Sequence, residues 1–140
     1  LVLRSLPSLP VRYHAQDAVG RELAAWLALQ PAISRVLHPA FDSCPGHAHW
    51  KDTCTAAAGL FSVMVDARYS STQVDAFVDA RRLFKLGYSW AGPVSLVVPY
   101  DLRAMRGDKA YPGTLVRFSI GLESAAALKA DLEQALAVLG

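Results

Sequence analysis

The pattern of apolar and polar positions divides the chain into alternating helix-like and strand-like segments. Residues 1–16 contain two prolines and little periodicity, so we expect them to precede the first long helix. From Asp17 onward, apolar residues such as Leu23 and Leu27 recur every three or four positions. This spacing predicts a helix that Asp17 caps and Pro31 ends.

Serines mark the beginnings of two further helices. Ser70 is followed three residues later by Gln73, which is the signature of a capping box, and the helix after it is predicted to end near Arg82. Ser124 precedes a run with Leu at helical spacing, which predicts the last helix. A short helix is predicted over 46–51. Apolar, β-branched runs predict strands at 33–38, 59–66, 84–86 and 114–120, and residues 95–98 suit a strand or a turn.

This order of elements indicates the α+β class. We predict an open, mainly antiparallel sheet of about four strands, with helices on one side. No internal repeat or composition boundary divides the sequence, so residues 1–140 are predicted to form a single domain.

Composition and charge exclude several classes of protein. A net charge of +2 is too small to indicate a nucleic-acid or acidic-membrane partner, and no apolar run has the length of a membrane span. The first residues do not resemble a signal peptide, so Cys44 and Cys54 are predicted to be free thiols of a cytoplasmic protein. The chain does not begin with Met, and we therefore expect it to be a fragment of a longer protein.

Arg117 is the first candidate for ligand binding. It lies inside the apolar run 114–120, where Leu115, Arg117 and Ser119 share one face of a strand. A guanidinium in such surroundings can bind a carboxylate through two parallel hydrogen bonds. The alternatives are a strand with one solvated face, or an ion pair with Glu123 or another nearby acid.

Tyr88, Ser89 and Trp90 form the second candidate group. They stand side by side just before the turn at Gly92, where a loop can present an aromatic wall, a hydroxyl and an indole to a ligand. The alternative is that these aromatic side chains pack in the core or at an interface. We expect this stretch to converge with Arg117 on a small anionic ligand.

Two cysteines and two histidines between residues 44 and 54 could suggest a zinc site. The spacing of Cys44, His47, His49 and Cys54 does not match a regular finger or knuckle. We therefore predict no metal site. Motifs for dinucleotide binding, a phosphate loop and a serine nucleophile are also absent from the sequence.

Four segments in order carry a resemblance to a known family. They are residues 46–51 (GHAHWK), 58–63 (AGLFSV), 84–92 (FKLGYSWAG) and 113–123 (GTLVRFSIGLE). Together they resemble the C-terminal domain of the pyridoxal-phosphate enzymes of cysteine and methionine metabolism, and most of all the cystathionine β-lyases. The similarity extends over nearly all of the chain.

The resemblance implies roles for the candidate residues. Arg117 stands where the family binds the substrate α-carboxylate. Ser89 and Trp90 stand where substrate and the edge of the cofactor are positioned, and Tyr88 stands where β-lyases carry tyrosine. The implied fold is the small domain of a fold-type I enzyme.

The resemblance also implies what lies outside these residues. The family's Schiff-base lysine and its cofactor cradle belong to a large domain, so no catalytic residue is assigned here and the fragment alone is expected to be inactive. The parent would use pyridoxal 5'-phosphate to cleave cystathionine to homocysteine, pyruvate and ammonia, as a cytoplasmic homotetramer. Alternatives are a γ-synthase, a γ-lyase or another C–S lyase of the family, or an inert stand-alone α+β module.

Overall fold

The computed structural model describes residues 1–109 and 111–140. Within these ranges, five strands form one sheet: β1 (Ile33–Leu37), β2 (Leu60–Val65), β3 (Lys85–Leu86), β4 (Leu96–Tyr100) and β5 (Thr114–Ser119). In space they run in the order β1, β2, β5, β4, β3, and neighbours are antiparallel except for β3 with β4. The predicted open, mainly antiparallel sheet is confirmed. It has a fifth strand because residues 96–100 pair with β5 instead of turning.

The same described ranges contain six α-helices. They are α1 (Val2–Ser5), α2 (Leu9–Leu27), α3 (His47–Thr53), α4 (Ser71–Ala80), α5 (Leu102–Arg106) and α6 (Ala125–Leu136). None of the helices in this part of the chain has both the length and the hydropathy needed to cross a bilayer. The predicted serine caps are present: the Ser70 hydroxyl accepts the N–H of Gln73, and the Ser124 hydroxyl accepts the N–H of Ala127.

One face of the sheet holds the hydrophobic core, which α2, α4 and α6 cover. Alternate positions of β2 and β5 supply its centre, with Phe61, Val63, Val116 and Phe118 each at most 3% exposed. The Phe118 ring stacks on Phe61 at a centroid distance of 5.4 Å and meets Phe84 edge-on at 5.5 Å. The apolar runs that predicted these strands therefore also place alternate residues against the helices.

The opposite face of the sheet carries the candidate residue Arg117. Strand register aligns Ser62, Arg117 and Val98 in one row across β2, β5 and β4. The next row of the same face contains Leu115 and Tyr100. This face consequently combines a charged side chain with apolar and aromatic neighbours.

The beginning of the first long helix differs from the sequence prediction. The helix starts at Leu9, and Pro10 lies in its first turn, where a missing backbone N–H removes no hydrogen bond. Asp17, predicted as the cap, lies inside α2, so that prediction was wrong. Its carboxylate instead contacts Arg21 Nε at 3.0 Å and accepts the N–H of Ala57 at 2.7 Å. The acid therefore attaches the loop before β2 to the helix.

Asp131 on α6 fixes the chain segment that leads into β3. Its side chain is only 5% exposed, and its carboxylate accepts three consecutive backbone N–H groups. These come from Arg82 at 2.7 Å, Leu83 at 2.8 Å and Phe84 at 3.1 Å. The backbone amides of residues 82–84, which lie outside any helix or strand, are thereby all hydrogen-bonded.

His38 is fully buried at the end of β1. Its ring stacks on Phe41 at 4.7 Å, and its Nδ1 accepts the N–H of Ala40 at 3.2 Å. Burial, with a smaller contribution from Arg21, lowers the pKa of His38 from 6.5 to about 4, while Asp17 acts in the opposite direction. The folded chain therefore holds His38 as a neutral base.

We predict that this histidine makes the chain less stable in mild acid. Between pH 6.5 and 4 the unfolded chain binds a proton at His38 that the folded chain does not bind, so the free energy of unfolding falls as the pH falls. The loss reaches about 3 kcal/mol by pH 4 at roughly 1.4 kcal/mol per pKa unit. Urea titrations at pH 7, 5.5 and 4.5 measure it.

The variant His38→Asn keeps an acceptor for Ala40 but has no titrating ring. It should be less stable at pH 7 and should lose this part of the acid dependence. The matched control His14→Asn changes an exposed histidine of α2 and should keep the acid dependence of the wild type. Identical pH dependence in wild type and His38→Asn would contradict the prediction.

Candidate functional site

The loop of residues 87–95 connects β3 with β4 and contains all three predicted loop residues. Its far end is anchored by Glu123, whose carboxylate accepts the Ser95 N–H at 2.9 Å and the Ser95 hydroxyl at 2.7 Å. The same hydroxyl accepts the N–H of Gly121 at 2.8 Å. A Cβ at Gly121 would collide with the backbone of Pro93 and Ser95, so glycine is required for this close approach.

The middle of the loop is held by α2. The Gln16 side chain, itself 5% exposed, donates from Nε2 to the carbonyl of Gly92 at 2.8 Å. Ala91 has a φ of 60°, the left-handed region that costs a residue with a side chain roughly 1 kcal/mol. The hydrogen bonds at Gly92 and Ser95, which follow Ala91 in the chain, offset this cost.

The guanidinium of Arg117 joins the sheet to the beginning of this loop. Its Nη2 donates to the carbonyl of Tyr88 at 2.7 Å, and it lies 3.4 Å from the carbonyl of Ser89 and 3.5 Å from that of Gly87. Tyr88, Ser89, Trp90 and Arg117 therefore meet at one place. The loop stretch and Arg117 lie together as expected from the sequence, and the anionic ligand stays a prediction.

Arg117 has no carboxylate partner in the described part of the chain. The sequence left open an ion pair with Glu123, but Glu123 binds Ser95 instead. Within residues 1–109 and 111–140, the Nε of Arg117 is buried and has no hydrogen-bond acceptor. A buried N–H of a charged group that lacks a partner is costly, so an acceptor that reaches this nitrogen would stabilise the side chain.

Aromatic rings surround the guanidinium. Its central carbon lies 5.9 Å from the ring centroid of Trp90 and 5.6 Å from that of Tyr100. Both distances are within the range of a cation–π contact. The outer parts of the loop side chains remain accessible, with Tyr88 69% and Trp90 61% exposed.

Tyr100 was missed by the sequence reasoning. The sequence indicated a strand or a turn only over residues 95–98, and Pro99 is a turn former. In the structure β4 continues through Pro99 because β3 pairs only with Leu96 and Val97, which leaves Pro99 unpaired on that side. The sequence did contain a signal for Tyr100: side chains of a strand alternate between its faces, so Tyr100, two positions after Val98, lies on the same face as Val98 and Arg117.

The histidine- and cysteine-containing loop is a separate region. His47 Nδ1 lies 2.8 Å from the carbonyl of Pro39, and its Nε2 lies 2.8 Å from the carboxylate of Asp42. Burial raises the pKa of the Cys44 thiol, which keeps it protonated near neutral pH. The Cys54 sulfur lies 3.6 Å from the Thr53 hydroxyl. These contacts account for His47 as a structural residue at the start of α3.

The chain is similar in sequence to proteins of one enzyme family. The family model described as "Cys/Met metabolism PLP-dependent enzyme" matches residues 1–137. Cystathionine beta-lyase of Salmonella typhimurium is 40% identical over 134 residues, which are 92% of this chain and 34% of that protein. L-alanine/L-glutamate racemase of Wolbachia pipientis is 36% identical over 142 residues, which are 99% of this chain and 35% of that protein.

A solved structure shows the same fold. The O-acetylhomoserine sulfhydrylase of Wolinella succinogenes superposes with a TM-score of 0.81 at 26% identity, covering 96% of this chain and 37% of that one. The α+β prediction is therefore confirmed. The chain spans about a third of the length of the curated relatives it matches. Over that third, the chain belongs to the family of pyridoxal-phosphate-dependent enzymes of cysteine and methionine metabolism.

Proposed function

We propose that this chain binds the α-carboxylate of an amino-acid substrate through Arg117. The observation that carries the proposal is the buried Nε of Arg117, which has no acceptor in the described residues, on a guanidinium without an acidic partner there. A carboxylate that displaces the groups covering this nitrogen would satisfy the donor and compensate the charge. The planar guanidinium suits such a ligand better than an ammonium group, because it offers parallel donors.

The neighbouring residues have separate parts in this proposal. Trp90 and Tyr88 form walls that limit the access of water to the bound carboxylate. Tyr88 also lines the distal part of the pocket, and the Ser89 hydroxyl offers a hydrogen bond beside Arg117. A carboxylate held at a fixed place orients the bonds at the substrate Cα, which is the purpose of such a clamp.

The exposed groups at this site fit the edge of a pyridoxal phosphate. The Trp90 ring lies beside the Arg117 guanidinium, and Ser89, whose carbonyl is 3.4 Å from Arg117 Nη2, is exposed, so we propose that both residues contact the edge of the cofactor. When bound, pyridoxal phosphate supplies an electron sink for the carbon that loses a bond. We assign no catalytic residue to this chain, and we propose that a large domain of the same polypeptide carries the lysine and the phosphate-binding groups.

For the reaction we propose the cleavage of cystathionine and water to homocysteine, pyruvate and ammonia. The lyase from Salmonella typhimurium supports this assignment, as does the tyrosine at position 88. The full-length protein would then be a cytoplasmic homotetramer, and two free cysteines agree with a reducing compartment. This fragment alone would be an inactive α+β module, because its substrate site lacks the cofactor-binding half.

A second candidate follows from the relatives themselves. The racemase of Wolbachia pipientis matches almost all of the chain, and the fold matches a sulfhydrylase. An α-carboxylate clamp serves each of these reactions, as it would a γ-synthase or γ-lyase. The carboxylate-binding proposal is therefore independent of which bond is broken.

Product analysis of the full-length polypeptide separates these reactions. The protein, loaded with pyridoxal phosphate, is incubated with L-cystathionine and, separately, with L-alanine. We expect equal amounts of pyruvate and homocysteine from cystathionine. Release of 2-oxobutanoate would replace the β-lyase proposal by a γ-lyase, and formation of D-alanine without a thiol would replace it by a racemase.

A further inference from the structure

Tyr100 touches two of the residues assigned to the substrate site. Its ring lies 5.6 Å from the guanidinium carbon of Arg117 and meets the ring of Tyr88 edge-on at a centroid distance of 6.1 Å. Tyr88 and Arg117 come from different elements, a loop and a strand. The Tyr100 ring therefore contacts a residue of each element, in addition to the direct hydrogen bond between Arg117 and the Tyr88 carbonyl.

The sheet holds the backbone of Tyr100, whereas the aromatic residues Tyr88 and Trp90 lie on a loop. Val98 lies directly opposite Arg117 in the antiparallel pair of β4 and β5, and Tyr100 is the next residue of β4 on that face. Immediately after it, the Asp101 side chain accepts the N–H of Ala104 at 3.0 Å and caps α5. The end of the strand is thus held by its pairing with β5 on one side and by the capped α5 on the other.

A flexible arginine binds a carboxylate well only if its guanidinium is already oriented. The side chain loses considerable rotamer entropy when it is held, and that loss weakens binding if it occurs when the ligand arrives. In the described part of the chain, three kinds of contact restrain Arg117: the loop carbonyls, the Trp90 ring and the Tyr100 ring. The first two belong to one loop, and the Tyr100 ring alone belongs to the sheet.

We propose that Tyr100 is a positioning residue that orients the Arg117 guanidinium for the substrate carboxylate and supports Tyr88 at the pocket wall. This inference rests on the proposed function of Arg117 and extends it. Tyr100 acts through its ring, and its hydroxyl is not required. It touches no reacting atom and is not a catalytic residue.

The test compares Tyr100→Leu, which removes the ring, with Tyr100→Phe, which keeps it, in the full-length polypeptide loaded with pyridoxal phosphate. A lost cation–π contact should raise KM in Tyr100→Leu about five- to thirty-fold while kcat stays within about twofold. Tyr100→Phe should stay within about twofold of the wild type in both constants. Tyr111→Leu, which breaks the similar contact between Tyr111 and Arg35 at 4.7 Å, is the matched control and should leave KM unchanged.

A binding measurement separates positioning from a merely structural role. Calorimetry gives the Kd of an unreactive substrate analogue and of the same analogue without its carboxylate. Tyr100→Leu should weaken the first and leave the second unchanged, and in an Arg117→Ala background it should add at most about a twofold further loss.

Three results would overturn the inference. They are unchanged carboxylate binding in Tyr100→Leu, equal weakening of both analogues, or the same loss with and without Arg117. If Arg117→Ala itself leaves KM unchanged, the proposed function fails together with this inference. If Arg117→Ala raises KM and the Tyr100 variants leave KM and Kd unchanged, only the inference about Tyr100 fails.

Discussion

Replacing Arg117 by alanine should raise KM for the amino-acid substrate of the full-length enzyme by about 30- to 1,000-fold. The range corresponds to the roughly 2–4 kcal/mol of a lost charge-assisted bond to a carboxylate. The reason lies in the site itself: the buried Nε has no acceptor in the described residues, so the substrate carboxylate would be its partner. Steady-state kinetics over a wide range of substrate concentration measures the effect.

Two variants make this result specific. Arg117→Lys keeps the charge but not the planar pair of donors or the contact with two aromatic rings, and it should recover only part of the lost affinity. Arg35→Ala removes an exposed arginine of β1 that stacks on Tyr111, and it should not change KM. A KM within about twofold of the wild type in Arg117→Ala would contradict the carboxylate assignment.

Arg117 also donates a hydrogen bond to the carbonyl of Tyr88, so its removal affects the position of the loop as well as the binding of the substrate carboxylate. An analogue of the substrate without a carboxylate distinguishes the two effects. Its affinity should be nearly unchanged in Arg117→Ala if the arginine acts on the carboxylate. Equal weakening of both ligands would show that the substitution disturbs the loop instead.

Asp131→Ala should lower the free energy of unfolding of this chain by about 2–4 kcal/mol. The substitution removes the acceptor of three successive backbone N–H groups, at Arg82, Leu83 and Phe84, in a region where Asp131 itself is 5% exposed. Amides left without a partner away from water are expensive, and each costs roughly 1–3 kcal/mol when fully buried. The total is smaller than three times that value because the Arg82 and Leu83 residues are exposed.

Urea denaturation followed by circular dichroism measures this loss. Asp131→Asn retains one acceptor oxygen and should have an intermediate stability. Glu133→Ala, on the exposed side of the same helix, breaks only a contact of 4.0 Å with Lys129 and should cost less than about 0.5 kcal/mol. Equal stabilities of Asp131→Ala and Glu133→Ala would show that the carboxylate does not hold this segment.

The local patterns of the sequence determined most of the elements. Apolar, β-branched runs gave the positions of β1, β2 and β5, and two serines with their partners marked the starts of α4 and α6. These predictions succeed because caps and periodicity depend on residues only a few positions apart. The stretch 88–90 and Arg117 could be named for the same reason, as polar groups inside apolar runs.

The arrangement of the site was decided by tertiary structure. Glu123 lies six residues after Arg117, yet it binds Ser95, and the contacts of Arg117 come from residues 87–90 and from Tyr100. Strand order creates these contacts, since β5 lies between β2 and β4 in space. The same long-range pairing carries β4 through Pro99, and neither outcome can be derived from neighbours in the chain.

The sequence by itself therefore determined the class of the fold, the serine caps of α4 and α6, and the chemical character of the candidate residues. Tertiary structure alone decided which of them meet, that Arg117 has no acidic partner in the described residues, and that Tyr100 joins the site. The physical reason is that side-chain identity and short-range hydrogen bonding are local properties. The environment of a charge depends instead on which distant strands bring their residues to it.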